Sequence, residues 1–141
     1  MPESLELSSE DCHRLLRAGT VGRVAVSTPN GPHIVPVNYV VWGDAVIFRT
    51  APYSVLGSHA RNSLLAFEID HLEPGRVHSW SVVVRGRCEF IDDPRELDAA
   101  DDATRPTAWA AGSRNLFLRV PLTEVSGRFL GGDRTTQSLP V

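Results

Sequence analysis

Valine-rich runs separated by turn residues dominate the first half of the chain. The runs Val21–Ser27, Ile34–Trp42 and Ala45–Thr50 predict three strands, because β-branched residues favour a pleated backbone. The segments between them, 28–31 and 43–44, contain Pro, Asn, Asp and Gly, which are typical of tight turns. The pattern therefore predicts an antiparallel meander.

The second half of the chain continues the same alternation with few helical stretches. Further strands are predicted at Leu64–Asp70, Trp80–Ile91, Leu116–Val120 and Glu124–Phe129, and helices at Ser8–Ala18, Ser54–Asn62 and 92–102. About six short strands with few helices are typical of a closed barrel or a sandwich. We expect a mainly β fold with a few short helices (α+β), as one domain over residues 1–130 and a flexible tail over 131–141.

Three positions refine these elements. Pro36 lies inside the second run. Because proline has no backbone N–H to donate to a neighbouring strand, it indicates a strand edge or a bulge. Gly86 indicates a bulge in the long strand Trp80–Ile91. Ser8 or Ser9 is suited to cap the first helix, and Gly19 is suited to end it.

Composition removes several classes of function. The 14 basic residues are all arginine and the net charge is −3, so we expect neither nucleic-acid binding nor a lysine-dependent aldimine or phosphate loop. Cys12 and Cys88 are far apart and form no redox or zinc motif. The N-terminus does not resemble a signal peptide and no apolar run is long enough to cross a membrane, so we expect a cytoplasmic protein.

Candidate chemistry concentrates around one turn. The histidines show no metal-ligand spacing, and no nucleophile motif is present. In contrast, Thr50, Ser54 and the N-terminal amides of the following helix converge on one spot, which is suited to bind an anion. A capped helix without a ligand, with Ser54 as the N-cap, explains the same residues equally well.

Several segments together resemble the pyridoxamine 5′-phosphate oxidase-like, FMN-binding split β-barrels. The segments are His33–Tyr39, Ile47–Thr50 with Ser54, Trp80–Gly86, and 109–112 followed by Arg119–Pro121. The similarity extends over residues 10–129 and is greatest to the small, single-domain bacterial members. It implies a split barrel that binds FMN at a homodimer interface and acts as a flavin-dependent oxidoreductase on a small molecule.

The resemblance also assigns roles to individual residues. Backbone groups of Val35, Pro36, Val37 and Asn38 would line the isoalloxazine ring, and Thr50 and Ser54 would bind the FMN phosphate. Trp80 and Ser81 fall at flavin-contacting positions, and Trp109 and Arg119 would come from the second subunit.

One position departs from the family pattern. The oxidases carry basic residues after the serine that clamp the phosphate, whereas Val55 and Leu56 follow Ser54 here. Arg49 or Arg61 would replace the clamp, because a guanidinium group pairs bidentately with phosphate. The basic residues that grip pyridoxamine phosphate are not recognisable either, so we expect a different substrate.

Two alternatives use the same fold. One is a reductase that binds a deazaflavin coenzyme. The other is a non-enzymatic module that holds flavin or heme, with His71 or His78 as the heme ligand.

Overall fold

The computed structural model describes residues 5–76, 78–104 and 116–130. The strands are β1 (Leu5–Glu6), β2 (Val21–Thr28), β3 (Gly31–Trp42), β4 (Ala45–Thr50), β5 (Leu64–His71), β6 (Ser79–Arg87), β7 (Glu89–Phe90), β8 (Leu116–Pro121) and β9 (Glu124–Leu130). The helices are α1 (Ser9–Ala18), α2 (Val55–His59) and α3 (Pro94–Thr104), with a short 3₁₀ turn at Pro74–Arg76.

All nine described strands form one curled antiparallel sheet in the order β1-β9-β6-β5-β2-β3-β4-β8-β7. The predicted meander of β2, β3 and β4 is confirmed by their antiparallel pairing. The sheet curls so far that Gly86 of β6 lies against β8, where an added Cβ would be 3.0 Å from the Pro121 carbonyl oxygen. The predicted mainly β split barrel is therefore the observed fold.

Strand β3 connects the two halves of the barrel. Its residues Gly31–Asn38 pair with β2, whereas Tyr39–Trp42 pair with β4. Continuing the β4 register would place Asn38 opposite Arg49, but the two strands are no longer paired there. Among the described strands, none covers this edge of the first part of β3, so the predicted edge position of Pro36 is confirmed.

The core lies inside the curled sheet, and α1 packs against it. Leu15 and Leu16 of α1 are fully buried, and the Tyr39 hydroxyl donates a hydrogen bond to the Leu16 carbonyl oxygen at 2.7 Å. Ser8 caps α1 by accepting from the Asp11 N–H, as predicted. The helix is thus fixed to β3 by packing and by one buried polar contact.

A second, smaller cluster lies on the outer surface of β4 and β8. Ile47 and Phe117 are buried there, together with Ile91 and with Ala100 of α3. Because side chains alternate along a strand, Phe48 points inward to the main core while its neighbours on either side point to this outer layer.

Three details of the sequence prediction were wrong. The structure has nine described strands where about six were expected, because the two-residue β1 carries almost no pattern and the predicted strand Trp80–Ile91 is divided into β6 and β7. The long strand breaks at Cys88, which bonds to the backbone of Asn62 and Ser63, while Gly86 stays in the ladder opposite Leu65. Helix α2 ends at His59 and does not reach Asn62, whose φ of 57° is left-handed.

Candidate functional site

The turn that joins β4 to α2 brings Thr50 and Ser54 together as predicted. Their hydroxyl oxygens lie 2.6 Å apart, and the Ser54 hydroxyl donates to the Ala51 carbonyl oxygen at 2.7 Å. The Thr50 hydroxyl is therefore the donor between the two side chains. Two hydroxyl oxygens are thus held next to each other at the end of β4.

Ser54 is also the N-cap of α2. Its side-chain oxygen accepts from the Gly57 N–H at 3.0 Å, which confirms the predicted cap. The N–H groups of Val55 and Leu56 lie in the first turn of the helix, where no intrahelical carbonyl is available to them. A capped helix and an anion site are not exclusive here, because these two amides have no partner among the described residues.

The uncovered edge of β3 begins where its pairing with β4 ends, at Tyr39 and Phe48, two residues before Thr50. Tyr39 donates its N–H to the Thr20 carbonyl oxygen, so the odd-numbered residues of this segment direct their backbone groups toward β2. By the same alternation, Asn38 and Pro36 direct theirs toward the side where β4 has ended. The side chain of Val37 points into the core, and that of Val35 is partly buried against it. Of the four predicted residues, Pro36 and Asn38 thus present an uncovered backbone edge, whereas the backbone groups of Val35 and Val37 are directed toward β2.

Arg49 precedes Thr50 and lies on the opposite face of β4. Its guanidinium carbon lies 5.8 Å from the centre of the Phe117 ring, within the outer cluster. One terminal nitrogen, Nη2, is buried and has no hydrogen-bond partner in the described structure. A buried, unpartnered guanidinium nitrogen is costly, and an anion would satisfy it.

Arg61 does not share a helix face with Ser54, because α2 ends at His59 before reaching it. Its guanidinium carbon lies 4.1 Å from the centre of the Phe90 ring, and Nη1 lies 3.1 Å from a carboxylate oxygen of Asp92. The Arg61 charge already has these partners, whereas Nη2 of Arg49 has none among the described residues, so Arg49 remains the candidate for the missing basic clamp and this role stays a prediction.

Trp80 and Ser81 lie on β6, away from the Thr50–Ser54 turn in the sheet order. Trp80 points into the main core, where its ring nitrogen Nε1 is buried without a partner. Ser81 points to the other face of the sheet, opposite Asp70 of β5. Strands β5, β2 and β3 lie between β6 and β4 in the sheet order, so these residues are not adjacent to Thr50 along the sheet.

Arg119 lies on the outer face of β8, three residues along from Leu116, the partner of Thr50. Its guanidinium group pairs with carboxylates of Glu89 at 3.1 Å and Glu96 at 3.2 Å. Trp109 and the tail 131–141 lie outside the described residues. The contribution of Trp109 and Arg119 from a second subunit stays a prediction.

The heme candidates lie at the β5–β6 connection. The His71 ring nitrogen Nε2 lies 2.9 Å from a Glu73 carboxylate oxygen, and the ring stacks on Trp80 with 6.3 Å between centroids. His78 has a positive φ of 60°, and its Nδ1 is buried without a described partner. Within the described ranges, no three His, Cys, Asp or Glu side chains form a metal cluster.

Neither cysteine is placed as a nucleophile. Cys12 and Cys88 are buried and free, and burial raises the pKa of both thiols, that of Cys88 to about 12. A thiol with so high a pKa is protonated near neutral pH and reacts slowly.

An ionic cluster on the outward face of the sheet escaped the sequence prediction. Arg23 of β2 pairs with Glu68 at 2.8 Å and with Asp70 at 2.9 Å, both on β5. Burial, followed by the neighbouring Asp70, raises the pKa of Glu68, although Arg23 opposes the shift. No local motif reveals this cluster, because its members are about 45 positions apart and meet only through strand register.

The turn also carries an aromatic residue that the sequence prediction did not select. Tyr53 lies between Thr50 and Ser54, and its side chain is 97% exposed. An aromatic residue within an otherwise small and polar turn is the signal that would have identified it.

The chain is similar to known proteins over nearly its whole length. The family profile described as pyridoxamine 5′-phosphate oxidase matches residues 8–129. The uncharacterized protein Rv0080 of Mycobacterium tuberculosis is 35% identical over 139 residues, covering 94% of this chain and 90% of that protein.

Two solved structures are also similar to this chain over nearly its whole length. The FAD binding protein of Mycobacterium smegmatis has a TM-score of 0.78 and 35% identity, covering 91% of this chain and all of that chain (100%). An FAD-binding protein of Mesorhizobium loti has a TM-score of 0.74 and 25% identity, covering 94% of this chain and 100% of that chain. No helix in the described ranges is both long and apolar enough to span a membrane. The chain belongs to the pyridoxamine 5′-phosphate oxidase family.

Proposed function

We propose that this chain binds a flavin nucleotide at the β4–α2 turn and acts as a flavin-dependent oxidoreductase. The observation that carries the proposal is the convergence at this turn of the paired hydroxyls of Thr50 and Ser54 and the free amides of α2. Arg49 precedes Thr50 in the sequence, and its guanidinium group, on the outer face of β4 beside Phe117, has a buried nitrogen without a described partner. These groups suit the phosphate of the nucleotide, because the helix amides are free to donate and each hydroxyl can rotate its proton from its present acceptor to a phosphate oxygen.

The uncovered edge of β3 suits the ring system of the same ligand. Asn38 offers a backbone N–H and a carbonyl oxygen toward the gap left by β4, and Pro36 offers a carbonyl oxygen. A flavin ring carries both hydrogen-bond donors and acceptors along its pyrimidine edge. A fixed backbone edge orients such a ring without requiring any titratable side chain.

In this proposal the bound flavin supplies electron or hydride transfer to a small-molecule substrate. The residues of the chain bind the phosphate, orient the ring and keep the backbone edge fixed. FMN is the ligand expected from the sequence, and the names of the two FAD-binding relatives extend the proposal to FAD. The substrate is expected to differ from pyridoxamine phosphate.

We further propose a homodimer formed through the outward face of β2, β3 and β5. Val21, Ile34 and Leu64 are 58%, 72% and 53% exposed there, respectively. A depression of about 320 Å³ between Ile34 and the Arg23 cluster lies on the same face. Exposed apolar side chains on one sheet face favour association, since water would otherwise contact them. A dimer would bring a second copy close to the exposed Pro36 and to Asn38.

The visible absorption spectrum of the purified protein tests the flavin proposal, combined with the mass of any ligand released by heat. An oxidised flavin spectrum with the mass of FMN or FAD would support it. A deazaflavin mass or a heme Soret band would favour one of the two alternatives. Sedimentation tests the dimer, which requires twice the 15.4 kDa chain mass, and a monomer at micromolar concentration would contradict it.

A further inference from the structure

Tyr53 is exposed without a packing role in the fold. Its side chain is 97% exposed, whereas the other tyrosine of the chain, Tyr39, is 1% exposed. Its ring forms no described aromatic or cation–π contact. The fold of a single chain therefore gives no reason for an aromatic side chain at this position.

The backbone that carries Tyr53 is nevertheless tightly fixed. The Ser54 N–H donates to the Ala51 carbonyl oxygen at 3.1 Å, which closes the turn around Pro52 and Tyr53. Helix α2 presses against this turn, because a Cβ added at Gly57 would lie 2.5 Å from the carbonyl oxygens of both Ala51 and Pro52. The ring of Tyr53 thus projects from a rigid base next to Ser54.

The chemistry of this position suits a flat ring attached to a phosphate. A planar base gains affinity by stacking on an exposed aromatic side chain, and every nucleobase has a face that permits this. FMN ends at the phosphate and offers no such base, whereas FAD continues from the phosphate to an adenosine. The phosphate groups of FAD would occupy the turn at Thr50 and Ser54, directly beside Tyr53.

We propose that Tyr53 is the stacking residue for the adenine of FAD and so determines the preference for FAD over FMN. This inference rests on the proposed flavin site at the β4–α2 turn. It assigns to Tyr53 a binding role and no part in electron transfer. It also predicts that the flavin ring and the first phosphate contact the protein in the same way with either nucleotide.

The test is titration of the apoprotein with FMN and with FAD, followed by flavin fluorescence, for the wild type, Tyr53→Ala and Tyr53→Phe. We expect the wild type to bind FAD about tenfold more tightly than FMN, in line with base stacking on an aromatic side chain. Tyr53→Ala should lose that preference while its FMN affinity stays unchanged. Tyr53→Phe keeps the ring and should retain the preference. All three proteins should unfold at the same temperature, since Tyr53 packs against nothing.

Two results would overturn the inference: equal wild-type affinities for FMN and FAD, or a Tyr53→Ala variant that keeps the FAD preference. A parallel loss of both affinities together with dissociation to monomers would also overturn it, because Tyr53 would then belong to a subunit interface. A wild type that binds neither nucleotide contradicts the flavin site itself and so is distinguishable from these results.

Discussion

The hydroxyl oxygens of Thr50 and Ser54 lie 2.6 Å apart at the point where β3 and β4 separate. Each residue by itself is typical of a strand end or a helix cap, and the pair is what makes the turn a candidate anion site. Their proximity matters because it places two hydroxyls, two free helix amides and the uncovered edge of β3 around one location.

Removing either hydroxyl should weaken FMN binding. Each hydrogen bond to a charged phosphate contributes about 1.5–3 kcal/mol, so Thr50→Ala and Ser54→Ala should each lower FMN affinity at least tenfold. Fluorescence titration measures the effect. Thr50→Ser keeps the hydroxyl and should bind FMN as the wild type does.

Ser54→Ala also removes a helix cap, which costs about 1 kcal/mol of stability. Ser8 provides a matched control, since it caps α1 through the same side-chain contact at a distance from the turn. Ser8→Ala should lower the melting temperature without changing FMN affinity. A comparable loss of FMN affinity in Ser8→Ala would show that stability, and not a contact to phosphate, is being measured.

Removing the charge of Arg49 and removing that of Arg61 should have different effects on FMN binding. Arg49 has a buried nitrogen without a partner, whereas Arg61 is held by Asp92 and Phe90. Arg49→Gln should therefore reduce the preference for FMN over riboflavin, with riboflavin affinity nearly unchanged. Arg61→Gln should retain the full preference. The assignment of Arg49 is wrong if the two variants behave alike.

Glu68 should make stability depend on pH. Burial raises its pKa in the folded state, so folding favours the protonated acid, and this contribution is lost as the pH rises through the folded-state pKa. Glu68→Gln should therefore gain stability relative to the wild type at pH 7, and the gain should vanish toward pH 4. Melting temperatures across that range measure it. A variant less stable than the wild type at pH 7 would show that the ion pair with Arg23 outweighs the burial cost.

The hydrogen bond from Tyr39 to α1 should affect the free energy of unfolding and leave FMN affinity unchanged. Tyr39→Phe removes a buried donor and leaves the Leu16 carbonyl oxygen without that partner, which should cost about 1–3 kcal/mol. Denaturant unfolding measures the loss. FMN affinity should not change, because the hydroxyl points toward α1 and away from the uncovered edge of β3. A variant with wild-type stability would indicate that water replaces the lost donor.

The sequence predicted the strands near the site well because local signals define them. Turn residues bound β2, β3 and β4, and Pro36 identified the uncovered edge. The end of α2 was missed because the residues after His59 continue a plausible helical pattern, and only the left-handed Asn62 ends it. This error assigned Arg61 to the helix, whereas it lies beyond the helix end and pairs with Asp92.

Contacts between side chains that are distant in the sequence could not be predicted from it. Trp80 and Ser81 are neighbours in the sequence, but the Trp80 side chain lies in the core and that of Ser81 on the other face, and their predicted contact with the flavin stays a prediction. The pairing of Arg119 with Glu89 and the cluster around Arg23 arise from register between strands, and the second partner of Arg119, Glu96, comes from α3. Such pairings depend on how the sheet curls, which no single segment encodes.

Titration of the wild-type apoprotein with riboflavin and with FMN isolates the contribution of the phosphate, because the two ligands differ only in that group. If the Thr50–Ser54 turn and Arg49 bind the phosphate, FMN should bind at least tenfold more tightly than riboflavin. Equal affinities for the two ligands, or no binding of either, would contradict the proposed site.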